Sequence, residues 1–149
     1  MEKTSLKLFV AFYKANKAVS KHMEATIRTY GLNTTEFAVL ELLYHKGAFP
    51  VQQIGEKILL SSGSLTYVVD KLVKKGLLER IPCEKDRRVI YVSMTPQGQA
   101  LIAAIFPDIQ AAIHDLMSCL SLKQQQEMIA SLKTLGVTAE SRLKNEGIN

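Results

Sequence analysis

The sequence predicts a mainly α fold with a minor β component: six helices interrupted once by a short hairpin. Three observations carry that reading. Apolar residues recur every three or four positions along most of the 149 residues, the repeat of helices with one buried face. The repeat changes to alternation only once, over residues 78–94. Several helix starts also carry capping residues at matching offsets.

The first helix spans residues 5–30, with Phe9, Tyr13, Val19, Met23, Ile27 and Tyr30 along one side, and Gly31 ends it. Asn33 caps the second helix, Glu36 completes a capping box, and Leu32 staples onto Phe37. Phe37, Leu40, Leu43 and Tyr44 then share a side until Gly47. Ala48-Phe49-Pro50 reads as a connector to a third helix over residues 51–60, with Val51, Ile54 and Ile58 on one face. Ser61 and Ser62 supply the cap of a fourth, whose inward stripe is Leu65, Val68, Val69 and Leu72 and which closes at Gly76 after Lys74 and Lys75.

Residues 78–81 and 89–94 are the strands of a hairpin with the charged tip Glu84-Lys85-Asp86-Arg87-Arg88. Thr95 caps the fifth helix and Pro96 takes its first position. Pro107 is expected to kink it. Its apolar positions between Leu101 and Leu120 exceed what one small domain can cover, so they call for a partner. Ser121 and Gln124 give a second capping box for the last helix, whose pattern fades beyond Gly136 into a frayed helix or tail. Two short helices followed directly by a hairpin make a winged helix-turn-helix, here flanked by long helices at both ends. The chain reads as a single domain, 1–149, with the winged lobe at 32–94 between helical segments at 5–30 and 95–149, which the family resemblance given below makes N- and C-terminal dimerisation helices.

Composition narrows the function classes. Hydrophobic residues make up 47% and charged residues 22%, which is ordinary for a globular chain. The residues near Met1 lack the apolar core and cleavage site of a signal peptide, and no uninterrupted apolar run approaches the roughly 20 residues of a membrane span. A soluble, cytoplasmic protein is expected, with no membrane partner. The net charge of +5 is unevenly spread. Lysine and arginine outnumber the acids eight to five over residues 1–60 and seven to four over 61–94, whereas over 95–149 the acids lead five to four. Positive charge thus avoids the C-terminal third, as expected if that part packs against protein and not against phosphate.

On the fourth helix, burying the apolar stripe leaves Ser64, Thr66, Tyr67, Asp70, Lys71 and Lys74 outward. Hydroxyls near a helix start can bond base edges or phosphates, and Lys71 adds phosphate attraction. Ser61, Ser62, Ser64, Thr66, Tyr67 and Lys71 are therefore candidate DNA contacts. Capping and DNA contact are compatible roles for the two leading serines. At the hairpin tip, Arg87 and Arg88 are placed to enter a minor groove, and Asp86, two residues before Arg88, can hold its guanidinium through a bidentate pair. Taken alone, a charged tip is simply a solvated turn.

The run Asp86-Arg87-Arg88, the strand to Met94 and then Thr95-Pro96-Gln97-Gly98 resembles the wing signature of MarR family regulators. Leu32 to Phe37 resembles that family's entry into its second helix, and Leu77-Leu78-Glu79-Arg80 its run into the wing, so the resemblance covers about residues 6–135. It implies an intertwined homodimer on a pseudo-palindromic double-stranded DNA operator, with Arg88 as the minor-groove arginine and repression as the usual outcome. Residues 1–10 and 36–47 look most like the MhqR-type branch, whose members repress genes for detoxifying quinones and hydroquinones. That implies a stress-response repressor released by a small phenolic, quinone or other electrophilic effector. By family analogy the effector cleft lies between the dimer helices and the DNA-reading lobe, where Phe9, Tyr13, Phe37 and Tyr44 can line it; aromatics at this spacing are equally core residues.

Cys83 lies at the base of the wing, where oxidation or alkylation could disturb DNA contact; the alternative is an inert, half-buried thiol. Cys119 reads as core or dimer interface. No cofactor is expected. There are no paired carboxylates for catalysis, no nucleophile with a base and no phosphate loop, and His22, His45 and His114 have no metal-ligand spacing. An enzyme is not expected. The rival readings are a winged helix used as a protein-interaction module without sequence-specific DNA binding, and a thiol-based sensor acting through Cys83.

Overall fold

The computed structural model describes residues 2–58 and 62–147. Six helices and three strands follow in the order α1 (Glu2–Arg28), α2 (Thr34–Lys46), β1 (Phe49–Pro50), α3 (Val51–Ile58), α4 (Ser62–Lys74), β2 (Leu78–Pro82), β3 (Ile90–Met94), α5 (Pro96–Met117) and α6 (Leu122–Asn145). They form two compact units, Met1–Ala112 and Ile113–Asn149.

The predicted caps form. Asn33 accepts the Glu36 backbone N–H at 2.8 Å while the Glu36 carboxylate accepts that of Asn33 at 3.0 Å, so two otherwise orphaned donors are satisfied reciprocally. Gly47 ends α2 at φ 74, a left-handed value that suits glycine. Ser121 and Gln124 build the same box at the start of α6.

The core of the first unit joins Ile27 of α1, Phe37, Val39, Leu40 and Leu43 of α2, Ile54 of α3, and Leu65, Val68, Val69 and Leu72 of α4. Leu78, Val92 and Met94 of the hairpin and Ile102, Ile105 and Ile109 of α5 complete it. Each such side chain contributes on the order of 1.5–3 kcal/mol relative to exposure. The inward stripe expected on α4 is buried at all four positions.

Three features differ from the sequence expectation, and one expectation falls partly outside the described residues. Phe49 and Pro50, read as a connector, pair with Val92 and Tyr91 as an edge strand, giving the sheet order β1-β3-β2; proline is tolerated at an edge because its missing N–H leaves no central ladder bond unmade. The described part of α3 ends at Ile58, and Leu59, Leu60 and Ser61 lie outside the described residues. The last helix does not stop near Gly136 but runs to Asn145. Finally, α5 is 22 residues long with an 18-residue window of mean hydropathy 1.3, enough to cross a membrane by length and composition. Counting uninterrupted apolar residues missed it; Ile102, Ile105 and Ile109 belong to the common core.

Only the C-terminal half of α1 packs inward. Its N-terminal half exposes Leu6, Phe9, Val10 and Tyr13, a stripe at helical spacing. In the second unit α6 buries no residue and exposes Met128, Ile129, Leu132 and Leu135.

Candidate nucleic-acid interface

Opposite its buried stripe, α4 presents Ser64, Thr66 and Tyr67 to solvent, with Tyr67 65% exposed. Ser61 and the side chain of Ser62, the other candidates on this face, lie outside the described residues. Lys71 is placed differently from a simple outward lysine. Its ammonium is 3.5 Å from Glu36 Oε1 and 5.8 Å from the centre of the Tyr67 ring.

Glu36 is the buried charged residue of the core, 2% exposed among side chains that are otherwise apolar. Besides capping α2, it accepts hydrogen bonds from Lys75 Nζ at 3.2 and 3.1 Å, and Lys75 also donates to the Gly31 carbonyl at 3.2 Å. Burial pushes this carboxyl up, but the Asn33 N–H, Lys75 and Lys71 outweigh it and hold Glu36 below its ordinary value. A depressed carboxylate contributes stability that is complete above the ordinary glutamate pKa of 4.5 and is lost as pH falls through the lower folded value. Urea unfolding of wild type should therefore lose stability between about pH 5 and pH 3 more steeply than Glu36→Gln. Parallel pH profiles for the two proteins would count against a charged Glu36.

Helix α4 is also tied to the hairpin. Arg80 on β2 meets Asp70 on α4 at 2.6 Å. The hairpin pairs Leu78 with Met94 through to Pro82 with Ile90, and its open end is closed where the Cys83 N–H donates to the Val89 carbonyl at 3.1 Å and that of Val89 to Asp86 at 3.0 Å. At the tip, Arg88 donates from Nε to Asp86 Oδ1 at 3.2 Å and from Nη2 to Oδ2 at 3.4 Å, while its backbone N–H donates to Oδ1 at 3.0 Å. This is the bidentate hold expected from their spacing. The Arg88 side-chain hydrogen bond, followed by its backbone N–H, keeps the Asp86 carboxyl below the usual range. Arg88 is 91% exposed, and Arg87 is exposed beside it.

The hairpin's return into α5 is fixed by Thr95 and Gly98. Thr95 Oγ1 donates to the Gly76 carbonyl at 2.6 Å and accepts the Gly98 N–H at 3.1 Å, and the Thr95 N–H donates to Leu77 at 3.1 Å. A Cβ on Gly98 would stand 2.1 Å from the Leu77 carbonyl oxygen. Threonine and glycine at this spacing thus let the helix start sit directly on the turn after α4.

The four aromatics considered for an effector cleft do not form one cluster. Phe9 and Tyr13 stack on each other with centroids 6.5 Å apart, Tyr44 contacts His45 and Phe106, and Phe37 is in the core. Cys83 is half-buried, whereas Cys119, expected as core or interface, is exposed in the single chain. No group of His, Cys, Asp or Glu that could hold a metal occurs among the described residues.

The sequence identified Glu36 as a cap but not as the partner of two lysines 35 and 39 residues away, nor did it pair Asp70 with Arg80. Such contacts leave no local signature; the only hint is a carboxylate at the start of an otherwise apolar helix.

A helix with an exposed hydroxyl-bearing face, an arginine-tipped hairpin tied to it and the two-helix unit beneath define a winged helix-turn-helix transcriptional regulator. The MarR family model matches residues 32–90. The chain is 49% identical over 140 residues to the HTH-type transcriptional regulator MhqR of Bacillus subtilis, covering 94% of this chain and 97% of that one. It is 40% identical over 139 residues to the regulator YkoM of the same organism, covering 93% and 90%. Among solved structures, a MarR mutant from E. coli complexed with operator DNA superposes with a TM-score of 0.80 at 20% identity, covering 89% of this chain and 95% of that one. The chain belongs to the MarR family.

Proposed function

We propose that two copies of this chain bind a pseudo-palindromic DNA operator and repress transcription from it, releasing it when a small aromatic or electrophilic compound binds. Residues 32–94 form the DNA-binding lobe, and residues 5–30 and 95–149 join the two copies. Ser64, Thr66 and Tyr67 of α4 face base edges in the major groove, with the leading serines 61 and 62 beside them, while Arg87 and Arg88 reach the flanking minor groove. The observation that carries the reading is the Asp86–Arg88 clamp, which restrains an exposed guanidinium at the hairpin tip instead of leaving it to swing. Pairing of copies is supported by the exposed stripes Leu6, Phe9, Val10 and Tyr13 on α1 and Met128, Ile129, Leu132 and Leu135 on α6, which would otherwise stay in water. The resemblance of residues 1–10 and 36–47 to the MhqR-type branch is what supports a phenolic or quinone effector. The protein works by occupancy of DNA in the cytoplasm and not by catalysis.

Selection from a random duplex library tests this. The expected product is an inverted repeat whose half-sites lie about one helical turn, ~10 bp, apart. Sedimentation should give a dimer in free solution. A monomer, or no preference for any inverted repeat over random duplex, would remove the operator reading. Loss of operator binding on adding a quinone, in wild type but not in Cys83→Ser, would move the release mechanism to the thiol.

A further inference from the structure

We propose that Glu36 is a positioning residue for DNA recognition: from inside the core it holds Lys71 away from phosphate, so that α4 meets DNA with less sequence-blind charge. This rests on the operator reading above and extends it to a residue that never touches DNA.

Three observations converge. Glu36 is buried to 2% exposure, whereas the side chains of its partners Lys71 and Lys75 keep 42% and 37% of their surface in water. The carboxylate is anchored independently of them by the Asn33 N–H, so it cannot follow a departing lysine. Lys71 sits between this anchor and the outward face, its ammonium 5.8 Å from the ring of the exposed Tyr67. A lysine at that position is close enough to the reading face to reach phosphate, but a fixed carboxylate 3.5 Å away competes for it. Phosphate contacts add affinity for every sequence alike, whereas base contacts discriminate. Restraining Lys71 therefore lowers non-specific binding and leaves specific binding less affected.

Glu36→Gln separates the charge from the cap, because glutamine can still accept the Asn33 N–H through its amide oxygen. Binding of full-length protein to the selected inverted repeat and to random duplex is measured against salt concentration. With Lys71 released in both copies, Glu36→Gln should bind random duplex at least fivefold to tenfold more tightly at low salt, and the slope of log K against log salt should steepen by about 1.8, about 0.9 for each copy. The ratio of operator to random affinity should fall, and adding Lys71→Met should return the slope to that of wild type. Lys71→Met alone should take less than about 0.9 off the slope, half of what two phosphate ligands would cost.

A Glu36→Gln slope equal to or shallower than wild type, with weaker binding to both duplexes, would mean that Glu36 is only structural and would overturn the proposal. So would a loss of about 1.8 from Lys71→Met alone, since Lys71 of both copies would then already be a phosphate ligand. That second variant decides the matter even if Glu36→Gln does not fold. Failure of wild type to prefer the inverted repeat would instead sink the operator reading, while the slopes on random duplex would still report on Glu36.

Discussion

Arg88→Ala should weaken operator binding by about 1–3 kcal/mol, roughly 5- to 150-fold, without changing the oligomeric state or the melting temperature. The stability half of that expectation follows from exposure. Arg88 has 91% of its side chain in water and pairs with Asp86, two residues away on the same tip. Surface pairs of this kind contribute little to folding. The binding half follows from geometry, because a guanidinium held along one edge by both oxygens of a carboxylate has fewer poses to lose when it enters a groove. Asp86→Ala should accordingly weaken binding less than Arg88→Ala: the charge remains but its aim is lost. Anisotropy titrations at fixed salt measure both. Normal operator binding by Arg88→Ala would show that the wing tip is a solvated turn and would transfer recognition to α4 alone.

Gly98→Ala is expected to destabilise the protein by about 3 kcal/mol, lowering the melting temperature by about 10 °C. The added methyl carbon would lie 2.1 Å from the Leu77 carbonyl oxygen and 3.0 Å from its carbon. Both are backbone atoms, so no side chain can swing aside. The first turn of α5 must then lift from the turn after α4, which strains the Thr95 hydrogen bonds to Gly76 and Leu77. Gly136→Ala is the matched control. Gly136 lies inside α6, where an added Cβ meets nothing within 4 Å, and it should gain up to about 1 kcal/mol from helix propensity alone. Equal melting curves for wild type and Gly98→Ala would contradict the close approach.

Much of this fold was legible because its signals are local. Asn33 with Glu36 and Ser121 with Gln124 declare helix starts within four residues, and the stripe Leu65, Val68, Val69 and Leu72 is a period read along one segment. The Asp86–Arg88 clamp was legible for the same reason. The third strand was not, since two residues carry no period and Pro50 reads as punctuation until its neighbour β3 is in place. The α1 pattern was correct as a helix but misleading as a core: Phe9 and Tyr13 continue the stripe of Ile27 yet stay in water in the single chain. Lys71 was legible as a cation near the reading face, but its engagement with Glu36 depends on how α2 and α4 pack.

The small edge strand has a mechanical effect on the wing. With Phe49 and Pro50 on one flank and residues 78–82 on the other, Tyr91 and Val92 are braced from both sides, so the hairpin's root has little slack and its compliance is confined to the loop beyond Cys83. Amide exchange should be slow at Val92 and fast around Lys85. Any adjustment of Arg87 and Arg88 to a curved or uneven surface must then come from that loop, because the stem beneath it does not bend to follow.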